Sequence, residues 1–207
     1  MDRNEAMVKE RFANDVKDHV VTVKHLDGLY RHYRCQKPGT WNMGFDVVTW
    51  PGSLCYTGDM GEFLFQRTDD MIKFMAPGIK ECSYLASKCV AGKDEIKEWS
   101  GERFREVLAE RLKDSAGDDG EFTVVRRGGR VKEKVIDKIR EIEMEYSNYE
   151  SRFDAEKAMY ESGLWDGCDM PSCEEYTLRF LWCLYAIEWF CAKLQASGRS
   201  GDRHPDT

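Results

Sequence analysis

The chain has 207 residues, 42% hydrophobic and 33% charged, which is enough apolar material to bury a core and too much for a disordered segment. Its formal net charge of −7 argues against a general nucleic-acid binder, which is usually basic, and suits a soluble protein that docks on a basic partner. Residues 1–20 carry charges throughout, without the apolar stretch of a signal peptide, and the longest apolar run, Phe180–Ile187, falls short of the roughly 18 to 20 residues that cross a bilayer. A cytoplasmic protein without a membrane contact is the expectation. The eight cysteines then read as reduced, mostly buried thiols rather than a disulfide framework.

Residues 3–18 predict an amphipathic helix, with Val8, Phe12 and Val16 recurring every fourth residue among charges. Val20–Leu26 turns β-branched, and Asp27-Gly28 before Leu29–Cys35 is a strong hairpin signal, because both residues tolerate positive φ. This turn would pair Leu26 with Leu29, His25 with Tyr30, Val23 with His32 and Val21 with Arg34. Further strands are expected at Trp41–Trp50, Leu54–Thr57 and Glu62–Gln66, with Trp41, Phe45, Val47, Phe63 and Phe65 facing the core and Asp46 and Trp50 facing away. Gly58 and Gly61 flank Asp59-Met60 as a strand reversal; a phosphate loop would lead into a helix, whereas Gly61 leads into Glu-Phe-Leu-Phe.

Thr68 is the predicted N-cap of a short helix, Asp69–Met75, which Pro77-Gly78 ends. The remainder reads as mainly helical. Ser100 caps a helix bearing Phe104, Val107, Leu108 and Leu112, residues 114–121 (DSAGDDGE) form an acidic loop, and Phe122–Val125 is a short strand. Gly128-Gly129 breaks the chain before a helix striped with Val135, Ile139, Ile142 and Tyr146, a surface on which a homodimer could form. Ser172 is the predicted cap of the most apolar helix, Cys173–Ala196. The fold class is therefore α+β: an N-terminal helix, an antiparallel meander of five strands and a C-terminal helical half packed against it. The boundaries are 1–78 for the meander region, 79–197 for the helical region and 198–207 for a disordered tail.

No residue set carries a catalytic pattern. The predicted register puts Cys35 on the face opposite His25 and His32, so no base stands beside that thiol, and no nucleophile elbow, zinc-protease or dinucleotide motif occurs. Cys168 and Cys173 lack the second pair a zinc site needs, and neither metal nor cofactor is expected. What the hairpin does assemble is a basic and aromatic strip of His25, Tyr30, His32 and Arg34 on one face, with Trp50 beside a Pro-Gly turn as an anchor for a partner. The stretch 124–134 (VVRRGGRVKEK) is the dense basic segment, read as a solvated loop balanced by the acidic one before it.

The segments DGLYRHYRCQKPGT (27–40) and FDVVTWPGSLCYTGDMGEFLFQRTDDMIKF (45–74) make residues 19–75 resemble a family of phage and prophage accessory proteins. The wording VTWPG (48–52) and GDMG (58–61) carries most of that resemblance, which brings a biological setting and no transferable catalytic residue. It implies a non-enzymatic protein that binds a host protein and inhibits a defence system, such as a CRISPR–Cas complex. Contacts are expected through Tyr30, His32, Arg34, Trp50 and the acidic Asp118 and Asp119. A nucleic-acid accessory protein acting through His32, Arg34, Arg126, Arg127 and Arg130, and a small enzyme without a recognisable motif, are the alternatives.

Overall fold

The structure, a computed structural model, describes residues 3–78, 81–114, 121–126, 129–134, 137, 138, 140, 141, 151–161 and 172–198. Its contacts divide the chain into two units, 1–97 with 176–207, and 98–175. The division does not follow the boundary drawn at residue 78, because the last helix returns to the N-terminal sheet.

In the first unit, α1 (Arg3–Asp15) precedes an antiparallel sheet of β1 (Val20–Asp27), β2 (Tyr30–Gln36), β3 (Phe45–Trp50), β4 (Ser53–Gly58) and β5 (Gly61–Gln66). A sixth strand, β6 (Cys89–Ala91), follows the short helices α2 (Met71–Met75) and α3 (Cys82–Lys88) and pairs with β5. The mixed α+β class is thus as expected, with one strand more than the sequence pattern suggested. The strand order is β1-β2-β3-β4-β5-β6, a meander in which each strand neighbours the next.

One face of the sheet is dry. Tyr33, Cys35, Phe45, Val47, Leu54, Tyr56, Phe63 and Phe65 alternate onto it and are buried. The covering element is the last helix, α6 (Leu178–Ala196), which is buried on nearly all sides because the sheet lies under it and α1 and α2 pack beside it. Its aromatic contacts run across the sheet: Phe180 meets Phe63 of β5 at 5.3 Å, Trp182 meets Phe45 of β3 at 5.9 Å, and Phe190 meets Tyr33 of β2 at 5.0 Å. Phe12 of α1 stands edge-on to Trp182 at 5.0 Å, and the Trp182 indole N–H donates to Asp15 at 3.0 Å. Cys35, Cys183 and Cys191 lie in this core as free thiols, pushed above the ordinary thiol range by burial.

Several elements depart from their sequence-based placement. Trp41 lies outside β3 and is 40% exposed instead of core-facing; it opens a turn that Gly44, packed against the Trp41 ring, closes by donating its N–H to the Trp41 carbonyl at 2.6 Å. The helix cap is Asp70 rather than Thr68: its carboxylate accepts from the N–H groups of Ile72 and Lys73, each at 3.2 Å. α6 starts at Leu178 with Thr177 as cap, not at Cys173 with Ser172, because Glu174–Tyr176 are committed to strand β10, paired with β7 (Lys97–Trp99). The Thr177 hydroxyl accepts from Phe180 N–H at 3.1 Å, and its non-helical ψ of 147° sets the boundary.

The second unit contains α4 (Gly101–Asp114), capped by Ser100 as predicted, with Phe104 and Leu108 buried. It also contains α5 (Arg152–Glu161) and a hairpin of β8 (Glu121–Arg126) and β9 (Gly129–Lys134). The described part of the basic stretch is therefore strand, not loop: Val124 pairs with Val131, Val125 with Arg130 and Arg126 with Gly129. Asp118, Asp119, the stripe residues Val135, Ile139, Ile142 and Tyr146, and the tail beyond residue 198 lie outside the described residues.

Candidate partner-binding face

The first hairpin turns one residue later than predicted, which moves each pairing beside the turn by two. Asp27 pairs with Tyr30, so the connection is Gly28-Leu29, and Gly28 has φ +56° at the first central position, as in a type II′ turn. The turn is held from below: Arg31 Nε donates to the Gly28 carbonyl at 2.6 Å, its two terminal nitrogens grip both carboxylate oxygens of Asp70 at 3.2 and 3.1 Å, and Thr49 Oγ1 donates to the Leu29 carbonyl at 2.9 Å. A bulge between Val23 and His25 takes up a further residue, so Val23 faces Tyr33 and His25 faces His32. The predicted pairs Leu26–Leu29, His25–Tyr30, Val23–His32 and Val21–Arg34 are replaced, and Val21 and Val23 move to the core side. His25, Tyr30, His32 and Arg34 still share the outer face: the three β2 residues alternate along one strand, and His25, on the turn side of the bulge, stands opposite His32.

On that face the structure brings Tyr30, His32, Arg34 and Trp50 together with Asp46, which shares the face of β3 with Trp50. Register sets Asp46 opposite Arg34 and Val48 opposite His32. The Asp46 carboxylate accepts from Arg34 Nε at 3.0 Å and Nη2 at 2.9 Å, and lies 3.0 Å from His32 Nε2. Burial pushes the Asp46 carboxyl upward, but the hydrogen bonds from Arg34 and His32 outweigh it and hold it below its ordinary value. The Arg34 guanidinium also sits over the Trp41 ring, 4.9 Å from its centroid. Tyr30 is 57% exposed, and Trp50 is half-buried rather than fully open. Val48, Cys55 and Leu64, in register across β3, β4 and β5, form a half-buried apolar row beside the cluster.

This arrangement is poor in free positive charge. A basic strip would bind phosphate through the Arg34 fork, but Asp46 already fills that fork with a carboxylate. What remains open is aromatic surface, the exposed edges of a fixed ion cluster and an apolar row, a mixture suited to a protein surface. Cys35 lies on the opposite, buried face from the histidines, as the alternation implies, and Cys55 has its thiol pushed upward by burial. The GDMG segment is a tight reversal in which Gly58 pairs with Gly61 and the Asp59 carboxylate accepts from Met43 N–H at 2.8 Å. No family model, curated protein or solved structure matches the chain. Among the described residues no helix is long and apolar enough to cross a membrane, and no three metal-ligating side chains converge.

Proposed function

We propose that the chain is a phage-encoded binding protein that inhibits a host defence system in the bacterial cytoplasm, a CRISPR–Cas complex for example, by protein–protein contact through the outer face of its sheet. The supporting observation is that Tyr30, Trp41, Trp50 and the His32–Asp46–Arg34 cluster share one face of a sheet whose other face is locked by α6. Aromatic anchors on a rigid scaffold bind with little loss of side-chain freedom, and an internally neutralised cluster can be covered without stranding a charge. Expression of the chain in a host that restricts a targeted phage should restore plaque formation, and the purified protein should form a stoichiometric complex with the defence assembly. A Tyr30→Ala/Trp50→Ala variant with an unchanged circular-dichroism spectrum should lose both effects. Unrestored plaquing together with no complex would sink the reading. Charge reversal at Asp118 and Asp119 tests whether acidic surface adds to the contact.

A nucleic-acid role draws on a different observation, the β8–β9 hairpin, whose register places Arg126 opposite Gly129 and Val125 opposite Arg130 at the turn end. Binding of a labelled DNA duplex that weakens steeply with salt and is lost in Arg126→Ala/Arg130→Ala would favour that reading.

A further inference from the structure

We propose that β1 is a docking edge that accepts an extended, acidic strand from a protein partner, lengthening the sheet by one strand. Three observations lead there. β1 ends the strand order and is eight residues long, whereas the opposite edge, β6, has three. A strand in that position leaves a row of backbone N–H and C=O groups facing outward. Next, the helix that covers the sheet stops short of it: the aromatic contacts of α6 extend from β5 to Tyr33 on β2. In register with the buried residues Cys35, Tyr33 and Arg31 stand Val21, Val23 and Leu26, yet Val23 is 36% and Leu26 52% exposed. The core side of β1 is thus an apolar ledge beside a closed core, which a neighbouring strand with alternate apolar side chains would cover.

Charge selects the occupant. Of the cations on this hairpin, Arg31 is bonded to Asp70, Arg34 to Asp46 and Lys37 to Asp18. Lys24 is exposed at the bulge, outside all of these ion pairs. Lysines and bulges on edge strands oppose indiscriminate pairing. Here they leave Val20–Val23 as the regular run and ask for a carboxylate at the position facing Lys24. A second copy of the chain supplies it only where Lys24 meets Asp27 of the copy, a register that pairs residues 24–27 and leaves Val20–Val23 uncovered. The antiparallel register that sets Val21 against Val23 of the copy, with Thr22 facing Thr22, brings Lys24 against Val20. A foreign strand with aliphatic residues alternating with carboxylates satisfies backbone, ledge and charge together.

The probe is a fluorescein-labelled synthetic peptide of alternating valine and glutamate, followed by anisotropy with the intact protein. Binding is expected, with affinity at least roughly tenfold weaker for the same peptide carrying lysine in place of glutamate. Methylating the backbone nitrogens along one edge of the peptide should abolish binding, and methylating the other edge should not, because only one edge faces β1. Lys24→Glu, at an exposed site, should invert the preference to the lysine peptide, while Tyr30→Ala/Trp50→Ala leaves it unchanged; the outer-face reading and this one therefore fail separately. The proposal is overturned by equal binding of the two methylated peptides, by indifference to peptide charge, or by no binding. It is equally overturned if sedimentation shows a concentration-dependent dimer that Val23→Lys abolishes, which would make a second copy the occupant.

Discussion

Asp70 joins two structures that are far apart in sequence, and removing it offers a quantitative test of how the hairpin is held. Its carboxylate caps α2 through two backbone N–H groups and also receives both terminal nitrogens of Arg31. The Arg31 side chain is 7% exposed and that of Asp70 16%, so the pair is largely out of water. Asp70→Ala loses a cap worth about 1 kcal/mol. It also strands a buried guanidinium, and breaking a buried pair on one side costs about 3–5 kcal/mol. With Asp70 still touching solvent, the lower part of that range applies, and the sum is about 4 kcal/mol. Asp70→Asn keeps a capping oxygen and loses only the charge, so it should cost about 3 kcal/mol. Arg31→Met combined with Asp70→Asn removes both charges and should cost less than the two single changes added, the difference being the coupling of the pair. Urea denaturation at neutral pH, followed by tryptophan fluorescence with the buried Trp182 as reporter, measures all of these. The pH dependence has a definite sign. Burial pushes the Asp70 carboxyl up, but the Arg31 and Lys73 N–H hydrogen bonds outweigh it and hold it low, so its stabilisation is complete above the ordinary carboxylate pKa and is lost as pH falls through the folded value. The gap between parent and Asp70→Asn should therefore close in the acid range, below about pH 4. A cost under about 1 kcal/mol for Asp70→Ala, or a gap that persists through acid, would refute the reasoning.

Gly58 has a φ that any residue can adopt, but a Cβ there would collide with the Gly44 carbonyl and lie 2.7 Å from the Phe45 Cβ, so Gly58→Ala should destabilise by about 1–3 kcal/mol in the same denaturation assay. Thr177→Ala removes the acceptor for Phe180 N–H and should cost about 1 kcal/mol, with Thr177→Ser restoring most of it. In thiol labelling with a disulfide reagent at pH 8, Cys191, pushed up to about 12 by burial, should stay unreacted along with Cys35 and Cys183 until urea opens the core. Cys82, half-buried and raised to about 11, should react slowly in the native protein; rapid native labelling of Cys191 would contradict the packing of α6.

The parts of the fold that were legible are those where a single period governs the side chains. Val8, Phe12 and Val16 recur at helical spacing and are all buried; Phe45 and Val47, then Phe63 and Phe65, alternate and are buried. Elements whose existence depends on a distant partner were not legible. Cys89–Ala91 is a strand only because β5 offers it an edge, and Glu174–Tyr176 is a strand only because Lys97–Trp99 does. The same dependence put the start of the last helix at Thr177: Ser172 has the chemistry of a cap, but the residues after it are held extended by the pairing.

The outer face shows where local reading ends. That Tyr30, His32 and Arg34 share a face follows from alternation within one strand and holds in any register. That Arg34 meets Asp46 depends on how β2 aligns with β3, which is pinned by two tethers: Thr49 Oγ1 of β3 on the Leu29 carbonyl, and the grip of Arg31 on Asp70, a residue beyond the meander in sequence. A shift of one residue would set Arg34 opposite Phe45 or Val47 and return its guanidinium to an uncompensated state. The face would then be a strip of free cations suited to an anion. In the observed register the carboxylate lies between His32 and Arg34, and the same residues form a nearly neutral platform bordered by aromatic rings. The kind of partner this face fits is thus decided by register, and Asp70, which holds the register, acts on it without standing on that face.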